Sequence, residues 1–116
     1  MCLISILAFA FIASPAIADD YSRVTDRAAF VNLVQGKSLT SLGVSLTVSP
    51  SGSISGRAFG STVSGAWTWS NGYFCRTLKA GSKVFARNCQ LVQQNGDRVR
   101  FTADKGTGAT ANLRIR

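Results

Sequence analysis

The sequence predicts a mainly β fold, a seven- to eight-stranded antiparallel up-and-down meander barrel with one short N-terminal helix. Three observations predict it. Beyond Gly36, apolar and polar residues alternate with period two. Gly-, Asn- and Ser-rich turn signals break the alternation at regular intervals. Six turns, each placed by its own chemistry, then put the apolar residues on one common face. A single apolar face carried by that many strands is buried only if the sheet closes on itself.

The chain opens with an apolar run from Leu3 to Ile12, followed by Pro15 and the small-x-small triplet Ala16-Ile17-Ala18. This pattern predicts a secretory signal over residues 1–18, with cleavage before Asp19. The run is short of the ~20 residues of a membrane span, and Asp19-Asp20 follow at once. The n-region carries no Lys or Arg, so retention of the segment as an anchor is the alternative. Cys2 precedes the apolar run, which excludes a lipoprotein anchor. After a short arm, Thr25 is the expected cap of a helix from Asp26 towards Gln35. Asp26 suits the first turn and Gly36 the position past the end. Ala29, Phe30, Leu33 and Val34 recur at helical spacing.

The strands follow in register. A loop Pro50-Ser51-Gly52 pairs Val48 with Ile54, and Gly60-Ser61 pairs Ala58 with Val63 and Gly56 with Gly65. Asn71-Gly72 pairs Trp69 with Phe74 and Trp67 with Arg76. A turn centred on Ser82 pairs Leu78 with Ala86 and Cys75 with Cys89. Asn95-Gly96 pairs Val92 with Val99, and a turn centred on Gly106 pairs Phe101 with Ala111 and Val99 with Leu113. Opposed residues point the same way and a one-residue slip inverts a strand, so the shared apolar face tests every turn at once. An eighth strand is available from Lys37 to Ser41.

Composition restricts the chemistry. The 116 residues include 13 Lys or Arg, five acidic residues that are all Asp, and no His. That excludes a His-based acid, base, nucleophile or metal ligand. Two-carboxylate catalysis would have to come from Asp19, Asp20, Asp26, Asp97 and Asp104, which fall in the arm, the helix start and two turns. Loss of the leader removes Cys2 and leaves Cys75 and Cys89, read as one disulfide in an oxidising compartment. Two cysteines without His fall short of a metal site. No cofactor is expected. Gly106-Thr107-Gly108-Ala109-Thr110-Ala111 matches a dinucleotide fingerprint, but no helix, parallel strand or ribose-binding acid can follow it, so it reads as a hairpin turn.

Two surfaces stand out. Trp67, Trp69 and Phe74 cluster on the inner face with Arg76, Asn88 and Gln90 beside them, which reads either as core or as an aromatic and polar barrel mouth. A buried Arg is costly without a partner, so Arg76 is expected at a mouth open to water or to an anionic ligand. The second surface is cationic. Of a net charge of +8, Arg87, Arg98, Arg100, Arg114 and Arg116 fall on the outer face of three adjoining strands, with Arg98 close to Arg114. Arg57 and Lys105 are left outside this group. Such a face suits an anionic envelope component or an acidic protein; nucleic acid is disfavoured, because no recognised binding motif is present.

With Gly65-Ala66-Trp67-Thr68-Trp69, Gly72-Tyr73-Phe74-Cys75-Arg76, Asn88-Cys89-Gln90, Arg27 to Leu39 and Arg100-Phe101-Thr102-Ala103-Asp104, the chain resembles a family of small exported bacterial proteins often labelled dihydrodipicolinate reductase. The resemblance implies an exported single domain. The activity in the label implies a two-domain nucleotide-binding enzyme with a His-containing motif, and this chain has neither His nor room for such a unit. Gly65-Ala66-Trp67 is also similar to the Gly-x-Trp of lipocalin-like and avidin-like barrels and of small barrel protease inhibitors, an architectural likeness that carries no function. The expectation is a non-enzymatic secreted or periplasmic binding domain for an anionic macromolecule. A small-ligand carrier using the mouth near Arg76 is the alternative, and an enzyme the third reading.

Overall fold

The computed structural model describes residues 20–116. The expected leader and its cleavage site before Asp19 lie outside the described residues. The chain runs through β1 (Ser22–Arg23), α1 (Arg27–Val34), β2 (Leu39–Ser41), β3 (Val44–Val48), β4 (Ser53–Ala58), β5 (Ser61–Ser70), β6 (Tyr73–Ala80), β7 (Lys83–Asn95), β8 (Arg98–Thr102), the single turn α2 (Ala103–Gly106) and β9 (Thr110–Ile115). Each strand from β2 to β9 pairs antiparallel with its successor, and β9 pairs back onto β2. The result is a closed eight-stranded meander barrel with β1 as an extra strand. Closure through Leu39↔Ile115 and Thr40↔Arg114 removes both sheet edges. β7 runs on beyond its last pair with β6, at Gln90, and β1 takes up the vacant edge through Ser22↔Gln94 and Arg23↔Gln93.

Six of the expected pairs occur as read: Val48↔Ile54, Trp69↔Phe74, Trp67↔Arg76, Cys75↔Cys89, Phe101↔Ala111 and Val99↔Leu113. Pairs in three hairpins differ. The β4–β5 loop is Phe59-Gly60, both with positive φ as a type I′ hairpin requires, and it pairs Ala58 with Ser61 and Gly56 with Val63. The β7–β8 loop is Gly96-Asp97, so Val92 faces Phe101 and Gln94 faces Val99. Leu78 pairs with Phe85 rather than Ala86, because a bulge between Arg76 and Leu78 places an extra residue on β7.

Gly56 and Gly65 therefore do not oppose each other, but both serve close approach. A Cβ on Gly65 would run into the Thr77 carbonyl, and one on Gly56, at φ +144, into the Ser45 carbonyl. These contacts bring the backbones of neighbouring strands closer than a side chain permits.

Alternating hairpins put the β3–β4 and β5–β6 loops at one end of the barrel, and α1 lies there. Its N-cap is Asp26 rather than Thr25: the Asp26 carboxylate accepts from the Ala29 N–H at 2.8 Å. Arg27 donates to the Pro50 carbonyl at 2.7 Å and Arg23 to that of Gly72 at 3.3 Å, tying both loops to the N-terminal segment. Phe30 is fully buried, with Trp67, Trp69 and Phe74 at ring-centroid distances of 5.2, 5.2 and 5.0 Å. This end is plugged. The core continues through Val34, Leu39, Val92, Val99 and Phe101.

Candidate functional site

The residues expected at an aromatic and polar mouth separate into three groups. Trp67 and Trp69 belong to the plugged end. Trp67 is buried, donates its indole N–H to the Ser49 carbonyl at 2.8 Å and is covered by the Arg27 guanidinium 5.1 Å from its ring. Trp69 stacks on Phe30, and its buried indole N–H has no partner among the described residues.

Phe74, Arg76 and Gln90 line a cavity of about 160 Å³ inside the barrel, together with apolar residues such as Leu46, Leu78 and Leu113. The cavity lies toward the end opposite α1. Arg76 donates from Nη1 to the Ala86 carbonyl at 2.9 Å, and burial lowers its pKa from the ordinary guanidinium value by desolvation. Asn88 is committed elsewhere. Its amide donates to the Asp104 carboxylate at 2.7 Å and its carbonyl oxygen accepts from the Asp104 N–H at 3.0 Å. These bonds hold α2, in which Asp104 and Lys105 adopt left-handed backbone angles. Lys105 lies 5.6 Å from the Tyr73 ring, so α2 folds against the outer face of β6 and β7, where Cys75 and Cys89 form a disulfide.

The cationic group is also rearranged. Arg98 and Arg114 are directly opposed on β8 and β9. Continuing across the barrel, Arg114 faces Thr40, Thr40 faces Ser45, and Ser45 faces Arg57. One lateral row thus reads Arg98, Arg114, Thr40, Ser45, Arg57, and the last four line a shallow depression shared with Arg116. Asp97 pairs with Arg114 at 3.1 Å, both side chains being half exposed. Such a pair contributes ~0–1 kcal/mol and leaves the guanidinium available to a competing anion.

Two of the five expected arginines stand apart from this row. Arg100 is half-buried, with its guanidinium 3.7 Å from the Tyr21 ring and a 3.4 Å bond to Gln93, which ties it to the N-terminal arm. Arg87 lies past the last β7–β8 pair, Leu91↔Thr102, and lines a depression with Thr68 and Thr77 instead. Arg57 is the residue that sequence reasoning left out. Its place depends on β2 closing against β9, and no local signal fixes that register.

Exposed apolar residues mark the end opposite α1. Leu42 is 93%, Phe59 81% and Val84 73% exposed. Phe59 also takes φ 51, a left-handed conformation that costs a bulky residue on the order of 1–3 kcal/mol. Compared with known proteins, the chain matches no family model, no curated protein and no solved structure.

Proposed function

We propose that the protein is a non-enzymatic exported binding domain that holds an anionic envelope component against the row Arg57, Arg114 and Arg98, with Arg116 beside it. The observation carrying this reading is the register that sets two arginines directly opposite each other and continues through two hydroxyl side chains to a third. Like charges on adjacent strands destabilise a sheet, and Asp97 compensates Arg114 of this row through a half-exposed pair. An anionic partner relieves that repulsion, and guanidinium groups interspersed with hydroxyls match the oxygens of carboxylates or phosphates. The disulfide is compatible with an oxidising compartment outside the cytoplasm.

Replacing Arg98, Arg114 and Arg116 with Gln is expected to weaken binding to polyphosphate or polyglutamate by about tenfold or more, ~1.4 kcal/mol. The matched change at Lys37, Arg87 and Lys105 removes the same charge elsewhere and should have a much smaller effect. Titration at two salt concentrations provides the measurement, since screening weakens exposed charge contacts. Equal losses from the two triples would reduce the effect to net charge and remove the site.

The cavity supports a second reading, a carrier for a small anionic amphiphile. At about 160 Å³ it is smaller than the roughly 300–1,000 Å³ of typical ligand pockets. It suits a short acyl chain or a single ring with its anionic group at Arg76. Calorimetry with hexanoate should show binding that Arg76→Met abolishes while polyphosphate binding persists. No heat from the unaltered protein would discard the carrier reading.

A further inference from the structure

We propose that the end of the barrel opposite α1 docks on an anionic lipid bilayer, with Leu42 and Phe59 entering the interface and Arg57, Lys79 and Lys83 contacting the head groups. The proposal rests on the anionic-partner reading above and names the partner.

Up-and-down topology brings the β2–β3, β4–β5 and β6–β7 loops to this one end. They touch: the Phe59 N–H donates to the Gly43 carbonyl at 2.7 Å, and the Gly81 N–H to that of Thr62 at 3.0 Å. The Phe59 ring lies so close over Gly43 that a Cβ there would sit 2.8 Å from Cδ1. Leu42 and Phe59 therefore project from two joined hairpin tips and are almost fully exposed. The third tip is followed by Val84, also exposed.

The choice of residue at position 59 sharpens the point. Asn71-Gly72 forms another two-residue hairpin loop with both residues at positive φ, with Asn where the β4–β5 loop has Phe. Asn tolerates that conformation and a bulky aromatic does not. Phe59 gives up backbone comfort for an apolar group that the isolated protein leaves in water. An interfacial partner supplies the missing burial.

Charge selects a lipid surface. No Asp or Glu occurs from Arg27 to Gly96, so all three hairpin tips lack carboxylates. Arg57 donates to the Gly60 carbonyl at 2.8 Å, which fixes its charge at the Phe59 tip, and Lys79 and Lys83 flank the third tip. The carboxylate in the fourth connection, Asp104, is bonded to Asn88. Among the described residues no helix is long and apolar enough to cross a membrane. Apolar side chains projecting from a cationic rim fit peripheral attachment to anionic lipid.

The test is cosedimentation of the exported protein with vesicles of phosphatidylglycerol and phosphatidylcholine, or of phosphatidylcholine alone. Binding is expected to the first and not to the second. The double variant Leu42→Ser, Phe59→Asn should lose at least about tenfold in vesicle affinity. It should keep its melting temperature, because Asn suits the turn, and keep its binding to polyphosphate. Wild-type binding to polyphosphate but not to vesicles, or unchanged vesicle binding by the double variant, would overturn the docking proposal while leaving the arginine row in place. Binding to neither probe would overturn both.

Discussion

Phe30→Ala is expected to lower the unfolding free energy by ~3–5 kcal/mol, the range for truncating a fully buried aromatic. The side chain has no exposure and sits among Trp67, Trp69, Phe74 and Phe101. α1 has eight residues, far fewer than an isolated helix needs to persist in water, so it depends on this anchor. Truncation leaves a ring-lined void and loosens the plug at once. In a small domain of ~5–15 kcal/mol total stability, the loss should appear as a marked fall in the urea midpoint. Ala29→Ser, on the exposed side of the same helix, should leave the midpoint nearly unchanged. A loss below ~1 kcal/mol for Phe30→Ala would show that α1 does not close this end of the barrel.

The errors in strand pairing have one physical origin. Side chains repeat every two residues along a strand, so a shared apolar face excludes odd slips and is blind to even ones. Moving the loop from Gly60-Ser61 to Phe59-Gly60, or from Asn95-Gly96 to Gly96-Asp97, changes partners by two and leaves every face intact. In the first case turn chemistry pointed elsewhere, since Phe is a poor residue for a left-handed position. In the second, a single Gly suits the second place of one loop and the first of another. The bulge after Arg76 is an odd slip, but it is confined to a few pairs of a long hairpin and the apolar face absorbs it. Closure was legible only as a necessity, because Leu39 and Ile115 carry no signal that they must meet.

That difference decides what could be read of the candidate site. Arg98 opposite Arg114 follows from a local hairpin, and the sequence places them close together. Arg57 reaches the same row only through β3, β2 and β9. Conversely, Arg87 shares an outer face with Arg98 by parity, yet lies too far along β7 to meet it. Parity assigns a face, whereas height along the barrel requires the register across each pair of strands. Trp67 and Trp69 differ from this case, because Trp67 does oppose Arg76 as expected. They share the inner face with Arg76, but Phe30 occupies their end of the barrel, and its insertion depends on a helix whose docking no strand pattern specifies.

Breaking the Cys75–Cys89 bond is expected to destabilise the protein by ~3 kcal/mol, from the entropy returned to the unfolded chain when a loop of about 15 residues is opened. The two cysteines are 14 residues apart and directly opposed on β6 and β7. The link closes the part of the hairpin that contains the bulge, where the regular ladder is interrupted and backbone pairing contributes least. Next to it, Asn88 holds α2 through Asp104, so opening the hairpin should also loosen the β8–β9 connection. Intact mass should rise by two hydrogens on reduction, and the urea midpoint should fall in the same sample. The variant Cys75→Ala, Cys89→Ser keeps a small apolar residue at the buried position and should match the reduced protein, because both remove the same cross-link. An unchanged midpoint in both would show that β6 and β7 are held by their ladder and core contacts alone, and two free thiols in exported material would remove the oxidising compartment from the proposed function.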